Sequence, residues 1–529
     1  MIEVLMQVTN FFSFTSYLTG LAFLIMAWTS MKYKYRLRLY MSWLSRTALF
    51  VAVALLGILV LVSDFVIAQN YPIPCTPCVQ HFWQLLLAGI FLLLTLSWLG
   101  VCFLFPPKFN RRNCQKFENE LVIALEYGQD EIIQGVIDFM GRSIRNIVKT
   151  APERMIVNRP LSKVETSALN ILNLMGNDYF CKVIVRSNPG VVVELFREMV
   201  RQGKYNIGLS FFAGNFITQA LLDENSFIYR ETKLMNGALS WDKPFLSEIY
   251  SNVTLVREIP DLLEPHDSLT LTWNHKQVHA YTEVLLIALC AALKEWCYNP
   301  FLFHRYFEIL ESSARRIYYV NGMGSEYYHD ENHLVYDAVI RFYEQLVQSV
   351  AVMDKIVGIH QKYEDDIAKK DITDIIADSI VELMFATSAL KTPQETSRSV
   401  CQVGFCMQVL ENKTESMYYG MLVKKICRAL YKTFGMNASI KGLSILIFCL
   451  DCYGLKRKKY PSKYISLLNR FVIFYARHHL LYMYKQVSKQ KTLKFPDGIT
   501  IDVERKQLRK VSVEDIYGNT HESVLDLVG

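Results

Sequence analysis

Three long apolar runs lie within the first 105 residues, at 11–31, 47–68 and 82–105. Each is about 20 residues, the length that crosses a hydrocarbon core at about 1.5 Å per residue. The second contains ALFVAVALLGILVLV and carries no charge until Asp64; the third, FWQLLLAGIFLLLTLSWLGVCFLF, ends at Pro106 and Pro107. A helix apolar on every side needs lipid or protein interior all round it. The pattern predicts three transmembrane helices in residues 1–107, with the lipid bilayer as the first partner. The first run is softened by Ser13, Thr15, Ser16 and Thr19. No basic segment precedes it, and its lysines follow it, so it does not read as a cleaved signal.

Charge sets the orientation. Of 57 basic and 50 acidic residues, nine basic and two acidic precede Glu118, leaving 48 of each sign in the rest of the chain. The excess of +7 therefore belongs to the apolar block and its flanks. Five basic residues fall in 32–46, none in 69–81 and four in 108–116. Loops rich in lysine and arginine stay on the cytoplasmic side. The N-terminus is expected outside and everything after Pro107 inside, in the plasma membrane, or the inner membrane of a bacterium. A neutral cytoplasmic part gives no footing for nucleic acid.

Within the spans, Ser16 with Gly20 and Ala48 with Ala52 have the small-xxx-small spacing that lets helices approach, within one chain or in a homo-oligomer. Asp64, near the outer end of the second span, reads as reaching interfacial water or as lining a pore. Cys75-Thr-Pro-Cys78 falls in the outer loop, where a disulfide staple is the expectation. Redox catalysis would need a second external thiol pair, and the expected topology places no other cysteine outside.

From Glu118 onward the pattern is helical, and glycine (24) and proline (15) are scarce for 529 residues. Asn188-Pro189 opens a helix with Asn as N-cap and Pro at its first position, and Gly203 stops it. Further helices are expected at 162–175, 207–222, 276–297, 301–319, 332–362, 371–389, 396–433, 438–452 and 462–488. The apolar stretches 284–293 and 443–450 are short and flanked by charge, so they read as buried core helices. The fold class is all-α: a transmembrane block at 1–107, a first cytoplasmic helical subdomain at 108–240, an irregular connector at 241–274, and a second helical subdomain at 275–490. The tail 491–529 is expected to carry a small β hairpin turning at Pro496-Asp497-Gly498.

Candidate chemistry is sparse. Cys449-Leu-Asp-Cys452 could join Cys401 and Cys406 at zinc, but an apolar helical setting reads as core. His329 and His333, four apart, would share a helix face. With His304, Asp330 and Asp371 they could be fitted to a metal-dependent phosphohydrolase, as could His266-Asp267. Asp330 also suits an ordinary helix cap. Lys456-Arg-Lys-Lys459 reads as a solvated loop, with anionic headgroups as the alternative. There is no phosphate loop, GxGxxG, GxSxG or HExxH, so no cofactor and no enzyme is expected.

The expectation is a membrane protein whose cytoplasmic helical domain senses a state or binds a protein partner and alters the transmembrane block. Membrane-permeabilising effectors of cell-protective, antiviral-type systems offer an analogy of architecture. A passive anchor or scaffold and a membrane-tethered hydrolase are the other readings. In a eukaryotic host, the sequons at Asn252, Asn412 and Asn437 are expected to stay unmodified, read as unchanged gel mobility after endoglycosidase treatment.

Overall fold

The computed structural model describes scattered helical positions between 51 and 96, then residues 108–153, 160–233, 243–265, 272–295, 301–353, 372–410, 416–435, 439–457, 460, 462–488, 498–513 and 520–528. These residues are mostly helical. The chain divides into two compact units, Met1–Ala220 and Leu221–Gly529. The spans expected at 11–31, 47–68 and 82–105 lie almost entirely outside the described residues. The positions described there, Val51 and Leu55 among them, are helical.

In the first unit, seven helices follow in short steps: α1 (Cys114–Tyr127), α2 (Asp130–Gly141), α3 (Ile144–Thr150), α4 (Lys163–Met175), α5 (Asp178–Ser187), α6 (Gly190–Gln202) and α7 (Ser210–Leu222). Their starts are written in capping chemistry. Ser162 and Glu165 form a capping box on α4, and the Asn177 side chain accepts from Tyr179 and Phe180 at the head of α5. Gly203 ends α6 in the left-handed region at φ 62°. The head of α6 departs from expectation. Pro189 occupies the N-cap, and the Asn188 side chain donates to Asp138 at 3.1 Å instead of capping. A partner 50 residues away in the chain outcompetes the local amide.

The last carbonyls of α3 are satisfied by a lysine. Lys204 donates to the carbonyl oxygens of Val148 at 3.3 Å and of Lys149 and Ala151 at 2.7 Å. Burial lowers its pKa, and the Glu153 and Glu165 carboxylates oppose the shift. The core is aromatic and aliphatic. Phe117 packs between Phe109 and Phe139, with centroids at 5.6 and 4.9 Å.

The second unit opens with the short helices α8 (Phe227–Lys233), α9 (Pro244–Tyr250) and α10 (Val253–Glu258). They border α11 (His275–Lys294), which packs along α13 (Glu331–Met353). Among the described residues, α11 is the one helix long and apolar enough to cross a membrane, but 56% of its apolar window is buried. Val284, Leu285, Ala288, Leu289, Ala292 and Leu293 are all interior, as expected of a core helix. Of the remaining helices, α12 (Phe301–Arg315) and α16 (Met417–Gly435) pack on α13, α14 (Ile372–Ser388) packs on α12, α16 and α17 (Ile440–Tyr453), α18 (Lys463–Ser488) packs on α16 and α17, and α15 (Gln394–Arg398) is a short turn between α14 and α16. The helix expected over 396–433 is instead divided. A π-wound stretch, Ser399–Leu410, follows α15, and α16 begins afresh at Met417.

The tail forms a three-stranded antiparallel sheet, β1 (Ile499–Asp502), β2 (Gln507–Val513) and β3 (Thr520–Asp526), rather than one hairpin. The first turn falls at 503–506, with Lys506 at φ 53°; Pro496 and Asp497 of the expected turn lie outside the described residues. The alternation of β2 was hidden by Lys510, which points inward and pairs with Asp451 of α17 at 2.7 Å. A charged residue on the buried face reads as solvent-facing until its partner is known.

Among the described residues, the charged groups buried beside α11 are paired, while the buried Tyr250 hydroxyl has no hydrogen-bond partner. The Glu231 carboxylate accepts from the Phe245 and Leu246 amides at 3.0 and 3.1 Å, capping α9 from another helix. Lys243 and Glu283 form a buried ion pair, with 7% and 9% of their side chains exposed. Removing one partner strands a buried charge, whereas replacing both does not. Lys243→Met is expected to destabilise the second unit by about 3–5 kcal/mol in urea unfolding, and Lys243→Met with Glu283→Met to recover most of the loss.

Candidate functional site

A cleft of about 480 Å3 lies among α12, α14, α16 and α17 in the second unit. Helical spacing builds its wall. On α12, His304, Glu308, Glu311 and Arg315 recur at three- and four-residue steps and so share one face. On α14, Asp378, Ser379 and Glu382 do the same. Thr433 of α16 and Lys441 of α17 complete the polar lining, and Phe307, Ile375 and Val381 add apolar surface.

Charges are distributed unevenly over this wall. Glu382 receives two cations, Arg315 at 3.5 Å and Lys441 in close contact, while His304 lies 3.3 Å from Glu308. Glu311 has no cation at ion-pair distance among the described residues. Ser379 donates to it at 2.8 Å, and the fully buried Tyr343 of α13 bonds Ser379 at 2.5 Å. The three form a chain of hydroxyls running from the core to a carboxyl at the cleft.

Burial pushes the Glu311 carboxyl up to about 7. The Ser379 hydrogen bond and Arg315 oppose the shift, and the Glu382 and Glu308 carboxylates add to it. Such a group exchanges a proton near neutrality, and in its neutral form it can donate to a ligand. The cleft can therefore take a polar or cationic small molecule, or act as a proton-linked contact between helices.

The residues singled out in the sequence are placed differently. Ser16, Gly20, Ala48, Ala52, Asp64, Cys75 and Cys78 lie outside the described residues, as do His266, Asp267 and Asp371. Cys449 and Cys452 sit within α17, Cys449 fully buried. His329 and His333 do not share a helix face. A short 3-10 turn ends at His329, Asp330 is extended, and α13 begins at Glu331. Asp330 is a cap, accepting from the Asn332 amide at 2.9 Å. His333 instead lies edge-on to the rings of Tyr327 and Tyr328, and burial lowers its pKa against the pull of Asp337 and Asp330. Among the described residues, no three His, Cys, Asp or Glu side chains are grouped to hold a metal ion. Of the expected candidates among the described residues, His304 alone reaches the cleft. Glu311, Ser379 and Tyr343 were not read from the sequence, although the acids at 374, 378 and 382 already stand four apart on α14.

No protein-family model, curated protein or solved structure matches this chain.

A carboxyl whose folded pKa lies above its unfolded value loses its proton-linked stability as pH rises, here between 4.5 and about 7. Glu311→Gln is expected to match the native chain in stability at about pH 5 and to exceed it by about 1–2 kcal/mol at about pH 8, discounted for the open cleft. Melting curves of both chains across that range check it.

Proposed function

We propose that the chain is a multi-pass membrane protein whose helical units sense a state or bind a protein partner and alter an N-terminal transmembrane block, making it a membrane-permeabilising effector in kind. The observation that supports this is a contrast between two sorts of apolar helix. At the described helical positions of the second and third runs, Leu55 is 59% and Leu93 68% exposed, whereas Leu443, Leu446 and Leu450 of α17 are fully buried. Uncharged helices with such surface need a hydrocarbon solvent, because in water they would associate indiscriminately. The concentration of positive charge around these runs supports the same reading, since it follows the rule for loops that stay inside. The cleft at Glu311 offers the helical part a place to register a proton or a small ligand.

Two measurements test the proposal. The full chain is expected to resist alkaline carbonate extraction, and a chain with Leu55→Lys and Leu93→Lys to be released, since each lysine at a span centre costs about 2.5–3.5 kcal/mol. Release of the native chain would overturn the membrane reading. Expression of the full chain is then expected to dissipate the membrane potential, and a chain with unrelated apolar spans in place of 1–107 to leave it intact. Intact potential in both, with the chain retained in membranes, would favour the passive anchor.

A further inference from the structure

The helices α16 and α18 contain no acidic residue. Each carries four lysines and arginines, in a part of the chain whose two signs balance overall. Lys425 is taken up by Asp374 of α14 at 2.9 Å. The others lie on exposed stripes. On α18 the exposed positions step by three or four from Lys463 through Leu467, Arg470, Phe474, His478 and Tyr482 to Lys485, with Arg477 exposed beside His478. On α16 they run from Met417 through Lys424 and Arg428 to Tyr431 and Lys432. Among the described residues, no carboxylate pairs with Lys424, Arg428, Lys432, Arg470, Arg477 or Lys485.

The two stripes are one surface. Tyr431 of α16 meets Tyr475 of α18 with centroids 6.1 Å apart, and Tyr475 lies 4.4 Å from His479. His478 beside it packs on Phe474 at 4.5 Å. Large apolar groups are interleaved with the charges: Phe474 is 55% and Tyr482 62% exposed. The loop entering α18 adds the exposed Lys456 and Arg457.

We infer that this face of α16 and α18 docks on the anionic headgroups of a lipid bilayer. Cations spaced by exposed aromatic and aliphatic side chains suit a headgroup layer, where the charges meet phosphate and the rings enter the boundary with the acyl chains. The inference takes its setting from the membrane reading, which already brings the chain to a bilayer. Nucleic acid would meet the same charges, but it leaves Leu467, Phe474 and Met417 without an apolar partner.

The test uses the full chain reconstituted in vesicles of phosphatidylcholine alone and of an equal mixture with phosphatidylglycerol. Amine acylation is read by mass spectrometry at Lys424, Lys463 and Lys485, with the exposed Lys276 and Lys294 as references. Relative labelling of the three is expected to fall about fivefold on the anionic vesicles, the effect of one charge near such a surface, and to recover in about 1 M salt. Arg470→Glu with Arg477→Glu, both on exposed positions, is expected to abolish the protection while leaving the melting temperature unchanged. Equal labelling in the two lipids would overturn the inference, as would protection by polyuridylate and not by anionic vesicles. Flotation with phosphatidylcholine alone reports the apolar block. A chain that fails to float overturns the membrane reading, and the same lysines are then read after anionic vesicles are added to it.

Discussion

The larger unit depends on the packing of α11 along α13. A helix apolar over most of its circumference needs neighbours on more than one side. The short helices α8, α9 and α10 supply them on one side, and α13 and α12 on others. The charged groups caught there must be paired, because an isolated charge in such a place is too costly to keep. The Lys243–Glu283 pair and the capping of α9 by Glu231 follow from that demand. They also fix how the short helices meet α11, since each joins residues from different elements.

The cleft is where that pairing is incomplete. Glu382 has two cations and Glu308 has an imidazole, but Glu311 holds only a hydroxyl that is itself tied to the buried Tyr343. The consequence is a carboxyl that titrates near neutrality between helices that pack together. The surface of α16 and α18 presents the opposite condition, with six cations, Lys424 and Arg470 among them, that have no carboxylate partner among the described residues. Both features come from how charge is divided among elements, and neither involves a motif.

Local signals in the chain were legible where the chemistry is local. The helix beginning near 162, the stop at Gly203 and the buried character of 284–293 and 443–450 follow from residues a few positions apart. Signals failed where a distant residue took over. Asn188 was drawn to Asp138, the 329–333 region broke at an extended Asp330, and Lys510 turned inward to Asp451. In each case the competing partner lies on another element or the backbone departs from the regular period.

The sequence by itself determined that the described chain is mostly helical, the approximate bounds of its longer helices such as 163–175, 372–388 and 463–488, and that positive charge gathers around three apolar runs. Periodicity, capping and net charge depend only on residues close in the chain, so no folding is needed to read them. Tertiary structure alone decided which carboxyl is left without a cation, which tyrosine lies beneath it, and which cations of α16 and α18 come to share a face. The pKa of Glu311 is set by burial among four helices, and the basic face by two helices meeting at Tyr431 and Tyr475. Desolvation and electrostatic fields sum over space, and distance along the chain says little about distance in space.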